Sequence, residues 1–163
     1  VVGGAGFFMN NEMDDFSSKP GVPNMYGLIG AEANAIQPGK RMLSSMTPSI
    51  VEKDNQLFMV LGAPGGSTII TAVFQTILNV IEFDMDLNEA VQAGRFHHQW
   101  RPDEIWFEKG RFPDAVKDSL EARGYSFRER ETMAKIKAIQ VLPNGDLNGV
   151  GDGRNLDDDA EGF

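Results

Sequence analysis

An α/β or α+β fold with substantial antiparallel sheet is the class this sequence predicts, and three observations carry it. Two pairs of alternating runs are each joined by a turn whose residues tolerate positive φ, Asp54-Asn55 in the first and Asn144-Gly145 in the second. Between them lies an apolar stretch of helical length, around Ile69 to Ile81. No internal repeat and no break in composition marks a second domain, so residues 1–163 are expected to form one domain or part of one.

Taken in chain order, Gly6-Phe7-Phe8-Met9 is a short apolar run that ends in Asn10-Asn11-Glu12 and Asp14-Asp15, as a strand does when it empties into a polar loop. From about 17 to 40, Pro20, Gly21, Pro23, Gly27, Gly30, Pro38 and Gly39 interrupt every periodicity. A loop that long in a compact domain is functional or disordered. Ser49 to Lys53 and Gln56 to Leu61 flank Asp54-Asn55 as a tight hairpin. Its second strand delivers Gly62-Ala63-Pro64-Gly65-Gly66-Ser67, after which Ser67 or Thr68 is placed to cap a buried helix running to about Glu82.

Asp86 and Glu89 have capping-box spacing and open a short helix through Leu87, Ala90 and Val91. Glu104 to Glu108 alternates like a strand. Pro113 suits a first helical position, Val116 and Leu120 share a helix face, and Gly124 supplies a left-handed stop. Ala138 to Leu142 and Leu147 to Val150 bracket Pro143-Asn144-Gly145-Asp146 as a last hairpin, and Asp157-Asp158-Asp159 reads as a solvated acidic end.

Composition narrows the partners. Of the 163 residues 41% are hydrophobic, enough to bury a real core if the fold is complete. Lys and Arg number 15 against 24 Asp and Glu, and the resulting charge of −9 repels phosphate backbones and anionic membranes, so nucleic acid is not an expected partner. The chain has no Cys, which excludes disulfides, thiolate metal ligands and a Cys nucleophile but is compatible with either redox compartment. Thr71, Gln75, Thr76 and Asn79 break the apolar stretch short of the roughly 20 residues a membrane span needs. The start at Val1-Val2-Gly3-Gly4, without a basic or apolar leader, fits a removed signal or a piece of something longer, and the second is preferred.

Four places could carry chemistry. Gly62 to Ser67 sets small residues between a strand and a helix, where backbone amides and the helix dipole form either an anion pocket or a tight turn that needs glycine. It is not a Walker loop, because no Lys follows the glycines. Ser44 and Ser45, within Leu43-Ser44-Ser45-Met46-Thr47-Pro48, could hydrogen-bond a carboxylate or belong to an ordinary loop or cap. Glu12, Asp14 and Asp15 could hold an ammonium group, form a solvated turn or, less favoured, bind a metal. His97 and His98 are adjacent and diverge in helix or strand, which favours a structural role. No Gly-x-Ser-x-Gly elbow is present, and a Ser hydrolase is rejected.

Asn10-Asn11-Glu12-Met13-Asp14-Asp15-Phe16, Lys19-Pro20-Gly21-Val22-Pro23-Asn24, Ser44-Ser45-Met46-Thr47-Pro48, Pro64-Gly65-Gly66-Ser67 and Arg95-Phe96-His97-His98-Gln99-Trp100 follow one another in an order and separation that resemble the gamma-glutamyltranspeptidases of the bacterial type with a lid loop. The likeness runs from about Gly6 to Gly149. It implies part of one half of an N-terminal-nucleophile hydrolase sandwich, in which helices cover two stacked sheets. In that family a precursor cleaves itself, and the freed Thr of the small subunit attacks a gamma-glutamyl carbonyl with its own amino group assisting. Water, or the amine of an amino acid or dipeptide, then releases the acyl group from glutathione and related compounds. No cofactor is required, and the resemblance implies the periplasm or the cell exterior.

Position by position, Gly65 and Gly66 are similar to the pair whose amides form the oxyanion hole. Ser44 and Ser45, with Met46 beside them, match the segment that grips the substrate α-carboxylate, while Glu12 and Asp15 match the residues that bind its α-ammonium. The lid spans about Pro20 to Gly30 within the 17–40 loop, with Tyr26 in the place of the aromatic that closes over glutamate. The family's Thr nucleophile, its supporting Thr and Asn, and the large-subunit Arg are not in this chain, and residue 1 is Val. Gly94 stands where the family usually has Pro, and Asp152-Gly153-Arg154 where it usually has Asp-Pro-Arg. The expectation is therefore a gamma-glutamyl-transferring parent protein with a large subunit as partner, and no turnover by this chain alone. The rival readings are a glutamate-binding module without chemistry and a proteolytic or design-derived piece.

Overall fold

The computed structural model describes residues 4, 6, 9–10, 12–44, 46–155 and 159–161. It divides into two compact units, Val1–Ser45 and Met46–Phe163.

The first unit holds two 3-10 turns, Glu12–Asp15 and Glu32–Asn34, and no named strand among its described residues. Isolated bridges join Ser17 to Ala35 and Pro23 to Ile29. Of the strand expected at 6–9, Phe7 and Phe8 lie outside the described residues, as do Asp157 and Asp158 of the acidic end.

The second unit is α+β. Its larger sheet contains β1 (Ser49–Lys53), β2 (Gln56–Gly62), β6 (Lys137–Val141) and β7 (Leu147–Val150), antiparallel throughout in the order β1-β2-β6-β7. Asp54 and Asn55 turn the first hairpin at φ 54° and 60°, the geometry that matches the twist of the flanking strands. Gly145, at φ 90°, turns the last one. On the inner face, Met59 and Leu61 of β2 and Ala138 of β6 pack against α1 (Ile69–Ile81) and α2 (Leu87–Gln92), with Ala72, Val73, Val80, Leu87, Ala90 and Val91 completing a continuous core. On the outer face Ile50, Val60 and Ile139 fall in cross-strand register, and Ile50 is 72% exposed.

The smaller sheet has the order β3-β4-β5, built from Phe96–His97, Ile105–Glu108 and Phe127–Arg130. β4 and β5 run parallel, joined through α3 (Asp114–Glu121). Phe96, Phe107, Phe112 and Phe127 stack edge-on and tilted between them.

Several local expectations change. α1 is not buried all round: Ile70, Phe74 and Ile81 stand out on one stripe, Phe74 at 58% exposure. Thr68 precedes α1 without capping it, because its hydroxyl donates back to Gly65 O at 2.8 Å instead of accepting from an orphan amide. β4 is buried at every position: it is the central strand of its sheet, Phe107 packs on Phe112 and Phe127, and Trp106 and Glu108 are covered by His97, Arg130 and Arg154, so its sequence alternation does not report exposure. Pro113 occupies the cap rather than the first helical position, at ψ 125°. β3 and β5, too short or too charged to register as strands in sequence, are held by pairing to β4. The Asp86–Glu89 capping box and the stop at Gly124, φ 91°, form as expected. Among the described residues no helix is long and apolar enough to cross a membrane.

Candidate functional site

β2 ends in a turn that only glycine can make. Gly65 sits at φ 153° and Gly66 at φ 57°. A Cβ on Gly65 would lie 2.8 Å from Ala134 Cα and 2.9 Å from Thr68 Oγ1, so neither the dihedral nor the space admits a side chain. The 3-10 turn Gly66–Thr68 then leads straight into α1, setting small residues and their backbone amides at the positive end of a 13-residue helix. Lys135 N donates to Pro64 O at 3.2 Å, tying this loop to the segment that wedges Gly65.

That segment, residues 133–136, is gripped by four buried charges. Arg95 Nη1 donates to Met133 O at 3.0 Å and pairs with Asp152 Oδ2 at 2.8 Å, while its Nη2 donates to Val91 O at 2.7 Å. Asp152 Oδ2 also accepts from Ile136 N at 2.7 Å. Glu108 Oε1 accepts from Met133 N at 2.9 Å and from Arg154 Nε at 2.6 Å, and Arg154 Nη1 reaches Asp152 Oδ1 at 3.0 Å. Two guanidinium groups against two carboxylates leave no net charge, and nearly every polar atom has a partner, which is the condition for burying such a cluster.

Burial alone would push the Glu108 and Asp152 carboxyls up. Hydrogen bonds from Arg154 and the Met133 amide outweigh it for Glu108, and the charge of Arg95 with the Ile136 amide outweighs it for Asp152, so both stay below the ordinary carboxylate value.

His97 belongs to the frame of this region. Its Nε2 lies 2.8 Å from Gln99 Oε1 and its Nδ1 2.8 Å from Thr71 Oγ1, whose hydroxyl also reaches Thr68 O at 3.2 Å. Burial lowers its pKa against the raising effect of the Gln99 bond, which disfavours the charged ring. Gln75, a polar residue in an apolar helix, donates to Phe96 O and accepts from Phe96 N, pairing the edge of β3 as a further strand would. His98 turns the other way, to Asp103 at 2.9 Å, so the two imidazoles diverge.

In the first unit the long loop has a built tip. Asn24 Oδ1 accepts from the amides of Tyr26 and Leu28 at 2.9 and 3.0 Å, Leu28 O accepts from Asn24 N at 2.9 Å, and Gly27 turns at φ 76°. Tyr26 is thereby carried at the apex, 41% exposed. Gly21 N donates to Gly30 O at 2.8 Å and closes the base.

Glu12 and Asp15 share one 3-10 turn, Asp15 half-buried and Glu12 exposed. Ser44 is exposed at the end of this unit, and Ser45 lies outside the described residues. Met46, 63% exposed, opens the second unit, which also contains Gly65 and Gly66. Among the described residues no group of three or more His, Asp or Glu is placed to hold a metal ion.

Sequence reasoning missed the Arg95, Glu108, Asp152 and Arg154 cluster. Three of its members, Arg95, Asp152 and Arg154, stood inside quoted motifs, and the available signal was Glu108 closing an apolar strand where a charge needs a partner.

Comparison with known proteins adds the relatives. A family model described as gamma-glutamyltranspeptidase matches residues 1–162. The chain is 51% identical over its full length to the glutathione hydrolase proenzyme of Escherichia coli strain K12, covering 28% of that protein. A crystal structure of a Helicobacter pylori gamma-glutamyltranspeptidase mutant superposes with TM-score 0.90 at 54% identity, over 95% of this chain and 85% of that one. The Pseudomonas nitroreducens gamma-glutamyltranspeptidase complexed with L-DON gives TM-score 0.87 at 48% identity, over 100% of this chain and 84% of that one. The chain spans about a quarter of the length of three of its curated relatives, at 28%, 26% and 24%.

Proposed function

The chain belongs to the gamma-glutamyltranspeptidase family, and from that premise we propose that it supplies the substrate-reading and oxyanion-stabilising part of an enzyme that cleaves gamma-glutamyl amide bonds. The nucleophile is a Thr of the parent protein outside this chain. Attack on the gamma-carbonyl gives a tetrahedral oxyanion, collapse expels the amine, and water or an amino-acid or dipeptide amine takes the acyl group from Thr. Glutathione and related gamma-glutamyl compounds are the substrates, the large subunit of the same precursor is the partner, and the periplasm or cell exterior is the compartment.

The observation that carries this reading is the Gly65-Gly66 turn. Backbone amides fixed by a dihedral closed to other residues, at a helix N-terminus, are pre-organised donors for charge that appears only in the transition state. In the proposal Glu12 and Asp15 take the α-ammonium, Ser44, Ser45 and Met46 form the segment that takes the α-carboxylate, and Tyr26 closes the lid over the bound glutamyl head.

The test is release of p-nitroaniline from L-gamma-glutamyl-p-nitroanilide, by the parent precursor and by this chain alone. The parent is expected to turn over through a gamma-glutamyl adduct on Thr, seen as a mass increase on acid quench. The isolated chain is expected to be inert, and turnover by the pure chain would overturn this assignment of roles.

A further inference from the structure

Glutamate carries its α-ammonium and α-carboxylate on one carbon, so whatever reads both must keep a fixed spacing, and misplacement by about 1 Å is costly. In the first unit the acidic turn and the hydroxyl segment are some thirty residues apart in sequence, and their described parts make no regular strand pairing. One side chain joins them. Asn34 Nδ2 donates to Asp15 O at 2.7 Å, and Asn34 Oδ1 accepts from Leu43 N, the residue before Ser44, at 2.9 Å.

Asn34 is itself held from both sides. Its own carbonyl accepts from Ser17 N at 2.9 Å, beside the parallel bridge of Ser17 with Ala35. The Lys40 ammonium donates to Ala33 O at 2.7 Å and to Ala35 O at 3.1 Å, clamping the backbone on either side of it. Only a primary amide on a short stem offers a donor and an acceptor in these two directions; Asp lacks the donor and Ala lacks both.

We infer that Asn34 is a positioning residue, bracing the ammonium-reading turn against the carboxylate-reading segment so that the two ends of one glutamyl head are gripped at the right separation. The inference rests on the roles proposed above for Asp15 and Ser44. Asn34 touches no substrate and acts through the backbone of Asp15 and Leu43.

The test is steady-state kinetics of the parent protein and four variants, Asn34→Ala, Asn34→Asp, Asp15→Asn and Ser44→Ala, with melting temperatures recorded alongside. Substrates are L-gamma-glutamyl-p-nitroanilide and glutaryl-p-nitroanilide, which lacks the α-ammonium. Asn34→Ala is expected to raise KM for the first about tenfold with kcat kept within about threefold, the mark of lost uniform binding. Asn34→Asp keeps the acceptor for Leu43 but sets an oxygen against Asp15 O, so its KM penalty shrinks on the glutaryl substrate. If Asn34→Ala does not fold, Asn34→Asp supplies the readout.

An Asn34→Ala KM within about twofold of the parent, while Asp15→Asn and Ser44→Ala raise theirs, overturns the inference and leaves the site reading standing. Unchanged KM in Asp15→Asn and Ser44→Ala overturns the site reading, and the inference with it.

Discussion

Arg95 and Asp152 form an ion pair at 2.8 Å with side chains 3% and 0% exposed, and both also bind the backbone of residues 133–136, the segment that wedges Gly65. A charge pair so placed fixes a loop rather than decorating a surface. Its worth lies in what happens when one half is removed.

Asp152→Asn or Arg95→Met leaves the buried four-charge cluster with one charge unbalanced and is expected to destabilise the protein by about 3–5 kcal/mol. Urea denaturation measures it, and a loss below about 1 kcal/mol would mean that the cluster is solvated.

Acid should act on the same cluster. Asp152 and Glu108 have folded pKa values below their ordinary ones, so as pH falls the unfolded chain takes up protons first. Their stabilisation is complete above the usual carboxylate values of about 4 and is lost as pH falls through the depressed folded values. The urea midpoint is expected to drop steeply below about pH 4, and a flat profile to pH 2 would contradict the depressed values.

His97 adds an earlier, shallower limb. Its folded pKa is lowered, mainly by burial, so the neutral ring stabilises the fold above the unfolded value of about 6.5 and that contribution is lost as pH falls through the folded one. His97→Gln should remove the slope that begins as pH falls below the unfolded value of about 6.5, measured against the parent by the same denaturation series.

Gly65→Ala meets backbone at 2.8 Å and a dihedral of 153°, so the turn must move. With the proposed role of its neighbouring amides, kcat is expected to fall at least about 100-fold. Gly110→Ala is the matched control: φ is 65° with nothing within 4 Å of the added Cβ. It should cost about 1–2 kcal/mol of stability and leave kcat within about twofold.

Asn24→Ala removes the acceptor for two amides at the tip of the proposed lid. Losing bonds worth about 1 kcal/mol should speed hydrogen exchange at Tyr26 and Leu28 about fivefold, with exchange in β2 unchanged.

The antiparallel hairpins, α1, α2 with its capping box and the glycine turn were legible because each depends on neighbours close in the chain: a two-residue turn, a 3.6-residue period, a side chain three residues from its amide. The family was legible for another reason, since its motifs are strings of letters in order. β3 and β5 were not, because strands of two and four residues exist only through the partner they pair with.

By itself, then, the sequence determined the local conformations and the kinds of group available: carboxylates, paired hydroxyls, and glycines between strand and helix. Only the tertiary structure decided that Arg95, Glu108, Asp152 and Arg154 meet in the core, that Asn34 spans from Asp15 to Leu43, and that Ala134 closes the space over Gly65. The physical reason is distance along the chain. A charge becomes buried and paired, and an amide becomes a brace, through contacts 9 to 63 residues away, and no pattern of neighbouring residues encodes which of those contacts forms.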